Sequence, residues 1–325
     1  MANCQESFLD YIKELNLTDT QAGRLQTSRD ALVDKIKAHF DSKKLLQPEF
    51  QSQGSYALNT LNRPISEDFD LDHGVYLKHL KDSEALSVHD AFQLIRDAVK
   101  DHTSEPLPPK DACVRVQYKK QGDTPTHHID LAVHRLYSTG KREYAHLKDD
   151  WSPSDQAGLI DWYNRKKTDQ IRALVRLFKG WADYQKSDTK PKLPSGFHFT
   201  VCVLECAVAA TDRHDKALVE TAAKIRARFQ AYRQMVGEPF KRPVAPNEDI
   251  FAKFESVRLD RFALALDTLI VEGGKALAEA DIDKAQRIWN SLFGPRFKAP
   301  APENKTKPEQ PWHAPAVVGI HDKAA

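Results

Sequence analysis

The chain has 325 residues, with 48 Lys and Arg against 46 Asp and Glu, a net charge of +2 and a pI of about 8.2. That near-balance argues against a general polyanion binder, and the length gives one large or two ordinary domains with a real core. No apolar run approaches a membrane span and Met1 to Glu6 lacks the basic-then-apolar pattern of a signal sequence, so a cytoplasmic location without membrane partners is expected.

Residues 5–16 place Phe8, Tyr11 or Ile12, and Leu15 at helical spacing. Thr18 and Gln21 then offer a capping box for a longer helix whose apolar stripe is Leu25, Leu32, Ile36 and Phe40. Neither helix carries chemistry, and both are expected to brace the domain that follows. Leu46 to Gln53 leads through a short strand into Gly54-Ser55, with a helix expected to begin near Tyr56 to Thr60 and to be ended by Arg63-Pro64. At such a turn a backbone without a side chain can approach a phosphate closely, and the hydroxyl can donate to it.

From Phe69 to Leu77 the apolar residues alternate: Phe69, Leu71, Val75 and Leu77 share one parity, the pattern of a strand with one buried face. Asp70 and Asp72 take the other parity, their Cβ atoms roughly 7 Å apart, and Asp68 extends the row. Like charges on one strand face repel, so the row needs either solvent, as on an edge strand, or cations. Val88 to His102 reads as a helix with Val88, Phe92, Ile95 and Val99 inward, and Pro106, Pro108 and Pro109 mark a loop. Cys113 to Tyr118 alternates as a strand and leads through Gly122, Asp123 and Pro125 into His128 to His134, where Ile129, Leu131 and Val133 point inward and Asp130 outward. That pairing reads as a hairpin. Three strand-borne acids and a Gly-Ser turn form a candidate two-metal phosphoryl-transfer site.

Gly54-Ser55, then Asp70-Leu71-Asp72, then a lone Asp130 in an Ile-Asp-Leu strand resembles the DNA polymerase β-type nucleotidyltransferase superfamily. The wording Gly-Ser-Tyr-Ala-Leu-Asn-Thr-Leu-Asn-Arg-Pro and Asp-Leu-Asp-His-Gly-Val-Tyr-Leu is similar to that of the bacterial CD-NTases, relatives of cyclic GMP-AMP synthase and oligoadenylate synthase. The resemblance implies an α+β fold: a polymerase β-like mixed sheet that brings Asp130 beside Asp70 and Asp72, with N-terminal brace helices and a C-terminal helical domain. It implies two Mg²⁺ ions held by Asp70, Asp72 and Asp130, with ATP and GTP or other NTPs as substrates. Gln53, Gly54 and Ser55 are then the expected grip on the phosphates. The expected boundaries are residues 1–165 for the nucleotidyltransferase core, 166–297 for the helical domain and 298–325 for a flexible tail.

Trp151 to Asp155 matches a Trp-x-x-Ser-Asp element of the family, and Ser152 or Ser154 can cap the short helix after it, with proline early in that helix. Thr168 to Lys186 is amphipathic, with Ile171, Leu174, Val175, Phe178 and Ala182 on one face. Lys179 lies within it, either as a solvated flank charge or, as in related enzymes, reaching the nucleotide triphosphate. Ser195 is placed to cap a helix from Phe197 to about Ala210, and the family has a nucleotide-contacting serine near this spot. Leu58 and Ser195 are candidate pocket residues, although base choice is not readable from the sequence.

The four cysteines do not form a disulfide framework at this length. His198, Cys202 and Cys206 recur every four residues, but one helical turn rises about 5.4 Å, so a single zinc ion cannot reach all three. Leu218, Ala222, Ile225, Phe229 and Tyr232 form a stripe whose outer face carries Lys216, Lys224, Arg226, Arg228 and Arg233. Such a run reads as a solvated face, and with no zinc-binding insertion a nucleic-acid activator is not expected. The final helices end at Ile288 to Phe297, a closing phrase that also resembles the CD-NTases.

Residues 298–325 are rich in proline, alanine and charge and read as a plain flexible tail; the resemblance to the CD-NTases implies as an alternative that its end (Lys323-Ala324-Ala325) is joined to a conjugation partner. The expected activity is Mg²⁺-dependent joining of NTPs into a cyclic di- or trinucleotide, which acts on a downstream effector in antiphage signalling. A linear or RNA-tailing nucleotidyltransferase and a non-catalytic nucleotide-binding regulator are the alternatives.

Overall fold

A computed structural model describes residues 1–66, 68–79, 86–120, 126–186 and 190–301. The tail end with its expected conjugation partner, and Gly122, Asp123 and Pro125 of the hairpin connection, lie outside the described residues. Ten helices and six strands are described: α1 (Gln5–Glu14), α2 (Asp19–Ser42), β1 (Glu49–Ser52), α3 (Gly54–Ala57), β2 (Phe69–His79), α4 (Val88–Val99), β3 (Val114–Tyr118), β4 (His127–Tyr137), β5 (Arg142–His146), β6 (Asp150–Pro153), α5 (Gln156–Lys166), α6 (Asp169–Tyr184), α7 (Gly196–Cys206), α8 (His214–Arg233), α9 (Ser256–Ala278) and α10 (Ile282–Phe293).

The strands form one mixed sheet in the order β1-β2-β4-β5-β6. β2 and β4 run parallel along their whole lengths, whereas β3 and β5 pair antiparallel with the first and last parts of β4. The expected hairpin of β3 and β4 is present. Alternation puts Phe69, Leu71, Val75 and Leu77 of β2 and Ile129, Leu131 and Val133 of β4 on one face, buried against Leu25, Leu32, Ile36 and Phe40 of α2 and Val88, Phe92, Ile95 and Val99 of α4. Each such side chain contributes about 1.5–3 kcal/mol on burial, which fixes the strand faces: a one-residue slip would exchange them. The acids therefore stand on the opposite face. The Thr18–Gln21 capping box opens α2, each side chain bonding the other residue's backbone amide.

The helical half has its own core, made by α1 and α5–α10. α1 differs from the expected brace. Its Phe8 packs edge-on against Trp289, Phe293 and Phe297, at ring separations of 4.9, 5.8 and 5.1 Å, so it belongs to the helices, and of the two N-terminal helices α2 alone lies on the sheet. Among the described residues no helix is long and apolar enough to cross a membrane.

Three local expectations are corrected. α3 is a single turn starting at Gly54 and ending at Ala57, well before Arg63-Pro64. Trp151 to Pro153 belongs to the edge strand β6, where a proline without a donor is tolerated at the strand end. The cap of α5 is consequently Asp155, which accepts a hydrogen bond from the Gly158 amide at 2.8 Å, rather than Ser152 or Ser154.

Candidate active site

The parallel register sets Asp70 beside His128 and Asp72 beside Asp130, and the alternation sends all four side chains off the same face. A ring nitrogen of His128 and one carboxylate oxygen each of Asp70 and Asp130 lie within 4.8 Å of one another. Asp130 is only 8% exposed and is gripped by its cross-strand neighbour Arg115 on β3. Nε and Nη2 of Arg115 donate to Oδ1 and Oδ2 of Asp130, each at 2.7 Å. This is the bidentate geometry that makes such pairs strong.

Asp72 sits deeper. Burial first, and then repulsion from Asp70 and Asp130, pushes its carboxyl up to about 7, against the attraction of Lys179 and Arg115. Asp72 also lies directly under the Gly54-Ser55 turn. A Cβ at Gly54 would fall 1.9 Å from Asp72 Oδ2, and Gly54 has φ +58°, so both space and backbone require glycine here. Crowded carboxylates beside a lone imidazole are a donor set that suits a divalent cation, since the repulsion raising Asp72 is what such a charge relieves.

Ser55 and Asp70 line a cleft of about 730 Å³, together with Lys179 of α6 and Ser195 and Gly196 at the start of α7. The cleft thus runs between the acidic face of the sheet and the helical half. Lys179 Nζ donates to the Thr60 carbonyl at 2.6 Å, just downstream of the turn. Burial, with Arg176 adding to it, pulls the Lys179 ammonium down to about 8, while Asp70 and Asp72 hold it up. Arg176 binds the same loop, donating to Asn62 Oδ1 at 3.0 Å, and Asn62 returns a hydrogen bond to the Arg176 carbonyl at 2.8 Å. The Ile65 amide donates to Asp183 of α6 at 2.7 Å. Helix α6 therefore fastens the segment that follows the turn. The far end of the cleft is basic, with Lys192, Arg258 and Arg261 on its wall.

Three expected site residues behave differently. The Gln53 side chain turns into the sheet: it is 5% exposed, its amide donates to Tyr76 Oη at 2.9 Å, and it lies 2.9 Å from His134 Nε2. It props the turn from behind and is absent from the cleft wall. Ser195 occupies the N-cap position of α7, yet its hydroxyl caps no backbone amide. It lies 2.7 Å from His198 Nδ1, and because His198 Nε2 serves the Ile250 carbonyl at 2.9 Å, Ser195 is the donor. Burial pulls His198 down to about 4, which keeps the ring neutral. Leu58 is buried in the helical core and does not line the cleft.

Sequence reasoning assigned no role to Arg115 or His128. The signal for His128 was present: it lies two residues before Asp130 and so shares its face. Arg115 needed the register of β3, which no pattern within that strand supplies. The outer cations of α8 meet carboxylates, Arg226 on Asp267, Arg233 on Asp260, Lys216 on Glu220 and Arg228 on Glu205, in keeping with a solvated face. Cys202 and Cys206 are buried free thiols.

Residues 48–134, which contain the turn, the three acids, Arg115 and His128, match the cyclic GMP-AMP synthase DncV-like nucleotidyltransferase domain. The chain is 26% identical over 311 residues to a cyclic AMP-AMP-AMP synthase of Acinetobacter sp., covering 90% of this chain and 85% of that protein. It is 27% identical over 218 residues to a cyclic GMP-AMP synthase of Escherichia albertii, covering 59% of this chain and 46% of that protein. Its fold is similar to that of Vibrio cholerae DncV, with a TM-score of 0.74 at 17% identity over 91% of this chain and 97% of the other. The Bradyrhizobium diazoefficiens CD-NTase CdnG superposes with a TM-score of 0.71 at 13% identity, covering 90% and 95% of the two chains. Residues 48–134 thus match a DncV-like nucleotidyltransferase domain, and the whole chain shares its fold with DncV and CdnG and is similar in sequence to a cyclic AMP-AMP-AMP synthase.

Proposed function

We propose that this protein joins nucleoside triphosphates into a cyclic di- or trinucleotide. The observation that carries the reading is the convergence of Asp70, Asp72 and Asp130, from two adjacent parallel strands, beside a glycine turn at a cleft whose opposite wall offers Lys179 and Ser195. The names of the curated relatives support a cyclic product.

The reaction forms a bond between a ribose hydroxyl of one nucleotide and the α-phosphorus of another, and breaks the bond from that phosphorus to the bridging oxygen of the departing pyrophosphate. A second such step within the linear product closes a ring. Asp70, Asp72 and Asp130 are the residues to hold two Mg²⁺ ions, which when bound stabilise the attacking and leaving oxygens. A carboxylate oxygen of Asp130 accepts the hydroxyl proton. Gly54 and Ser55 orient the pyrophosphate, with Lys179 reaching it from the helical wall, so that the charge growing in the transition state is met by groups already in place. Ser195 contacts the nucleotide on the same wall, and Gln53 acts from behind by holding the turn. The proposed setting is antiphage signalling, in which the product acts on a downstream effector. There, cells carrying the wild-type system should give fewer plaques than cells carrying an acid-to-alanine variant, and equal counts would remove that setting.

The test is incubation of the full chain with labelled NTPs and Mg²⁺. A phosphatase-resistant product is expected with the wild type and none with Asp70→Ala/Asp72→Ala. Mass spectrometry of the product from all four NTPs then identifies the bases and the ring size. A phosphatase-labile ladder that lengthens on added RNA would replace this reading with a linear-tailing one.

A further inference from the structure

Of the four side chains that the β2–β4 register places together, three are acids that the fold makes intelligible, and the fourth is His128. It is 6% exposed, stands beside Asp70 and shares the face of Asp130. One of its ring nitrogens lies within 4.8 Å of carboxylate oxygens of both. Its Nδ1 lies 3.2 Å from Oδ1 of Asp68, the acid just ahead of β2. A carboxylate that accepts one ring N–H orients metal-ligating histidines, because it fixes the tautomer and raises the basicity of the lone pair on the other nitrogen.

We propose that His128 is a nitrogen ligand of the divalent-metal site, that Asp68 orients it, and that it shifts the site's preference from Mg²⁺ towards first-row transition ions such as Mn²⁺. Mg²⁺ seeks a shell of oxygen donors and gives up its waters reluctantly, so an imidazole adds little to its binding. Transition ions accept imidazole more readily than Mg²⁺ does, Mn²⁺ least among them, so the same side chain strengthens their hold. With Nδ1–H donated to Asp68, Nε2 is the nitrogen left for the ion. The aspartates alone would make a site that an oxygen-seeking ion fills; the histidine makes it a mixed one. Asp68, which extends the acid row without joining the strand, then has a reason to be there.

This inference rests on the metal-dependent reading above, and its test does not depend on turnover. Tag-free, full-length protein is titrated with Mn²⁺ and followed by electron paramagnetic resonance, and spin-echo modulation of the bound ion reads directly bonded nitrogen. The wild type should show a nitrogen coupling that His128→Gln lacks. His128→Gln should also bind Mn²⁺ about tenfold or more weakly, while its Mg²⁺ affinity, measured by competition, changes much less. Asp68→Asn should keep the nitrogen coupling and lose about tenfold in Mn²⁺ affinity. Thermal melts of the metal-free variants show whether each is folded. Bound Mn²⁺ with no nitrogen coupling in the wild type, or an unchanged coupling in His128→Gln, would overturn the assignment. An enzyme that makes product with Mn²⁺ but shows no nitrogen coupling loses this inference alone, whereas acid variants that still make product would remove the functional reading itself.

Discussion

The two walls of the cleft are built by different means. On the sheet wall, Asp70, Asp72, His128 and Asp130 take their relative positions from the spacing and register of two hydrogen-bonded strands, and Arg115 is delivered by a third. On the helical wall, Lys179 and Ser195 sit on separate helices and reach the site through individual hydrogen bonds to loop carbonyls or to a neighbouring histidine. A sheet holds like charges close because slipping the register would expose a whole apolar face. A helix wall has no such lock, and its side chains can change partner when a ligand arrives. The sheet wall should therefore be intolerant and sensitive to cations, and the helical wall adjustable and sensitive to phosphate.

The largest effect that separates the walls is expected from Gly54→Ala. Its Cβ has no space above Asp72 and its backbone no comfortable conformation, at a cost of about 1–2 kcal/mol for the left-handed region alone. Displacing the turn by such a contact should lower kcat by about a hundredfold while far-ultraviolet circular dichroism stays native. Wild-type turnover in this variant would mean that the turn does not set the geometry.

On the other wall, Lys179→Met should weaken NTP binding by about tenfold, read by calorimetry without turnover. The ammonium is pulled down to about 8 in the unliganded protein, so NTP affinity should fall as pH rises through that value. Lys179→Arg, charged throughout, should flatten that dependence. A wild-type affinity independent of pH between 7 and 9, taken here as roughly one unit either side of the lysine's midpoint, would remove Lys179 from phosphate contact.

A smaller effect comes from Asp72. Its carboxyl is raised to about 7 in the folded chain from an ordinary value of 3.8, so between those values the folded state holds more protons than the unfolded. Its contribution is therefore present below about pH 4 and is lost as pH rises towards 7. At pH 8, metal-free Asp72→Asn should melt a few degrees above the wild type, with the gap closing near pH 4 and on addition of Mn²⁺ to the wild type. A variant that melts lower than wild type at pH 8 would contradict the crowding of the three acids. The smallest effect is expected from Arg226→Ala on α8. Its pair with Asp267 is partly solvated, so stability should change by about 0–1 kcal/mol, and product formation should be the same with and without added DNA or RNA. Stimulation by nucleic acid that this variant abolishes would give the basic face a role.

Much of the sheet wall was legible because a strand writes its faces into the chain: Phe69, Leu71, Val75 and Leu77 announce where Asp70 and Asp72 point, and Ile129 and Leu131 do the same for Asp130. The capping box at Thr18 and the stripe of α2 were legible for a similar local reason. β5 and β6 were missed because short, polar strands at a sheet edge owe their structure to a neighbour's open hydrogen-bonding groups. Gln53 was misplaced because a residue next to a turn can face either way, and only the buried Tyr76 and His134 drew its amide inward.

Composition and short-range order in this protein thus settled the strand and helix faces, the order of the turn and the acids, and the family that they resemble. The folded chain alone settled which strands lie side by side, that Arg115 clasps Asp130 and that α1 leaves the sheet for the helices. It also decided that Lys179 shares a cleft with the acids. Those outcomes depend on contacts between residues far apart in sequence, whose energies no local pattern encodes.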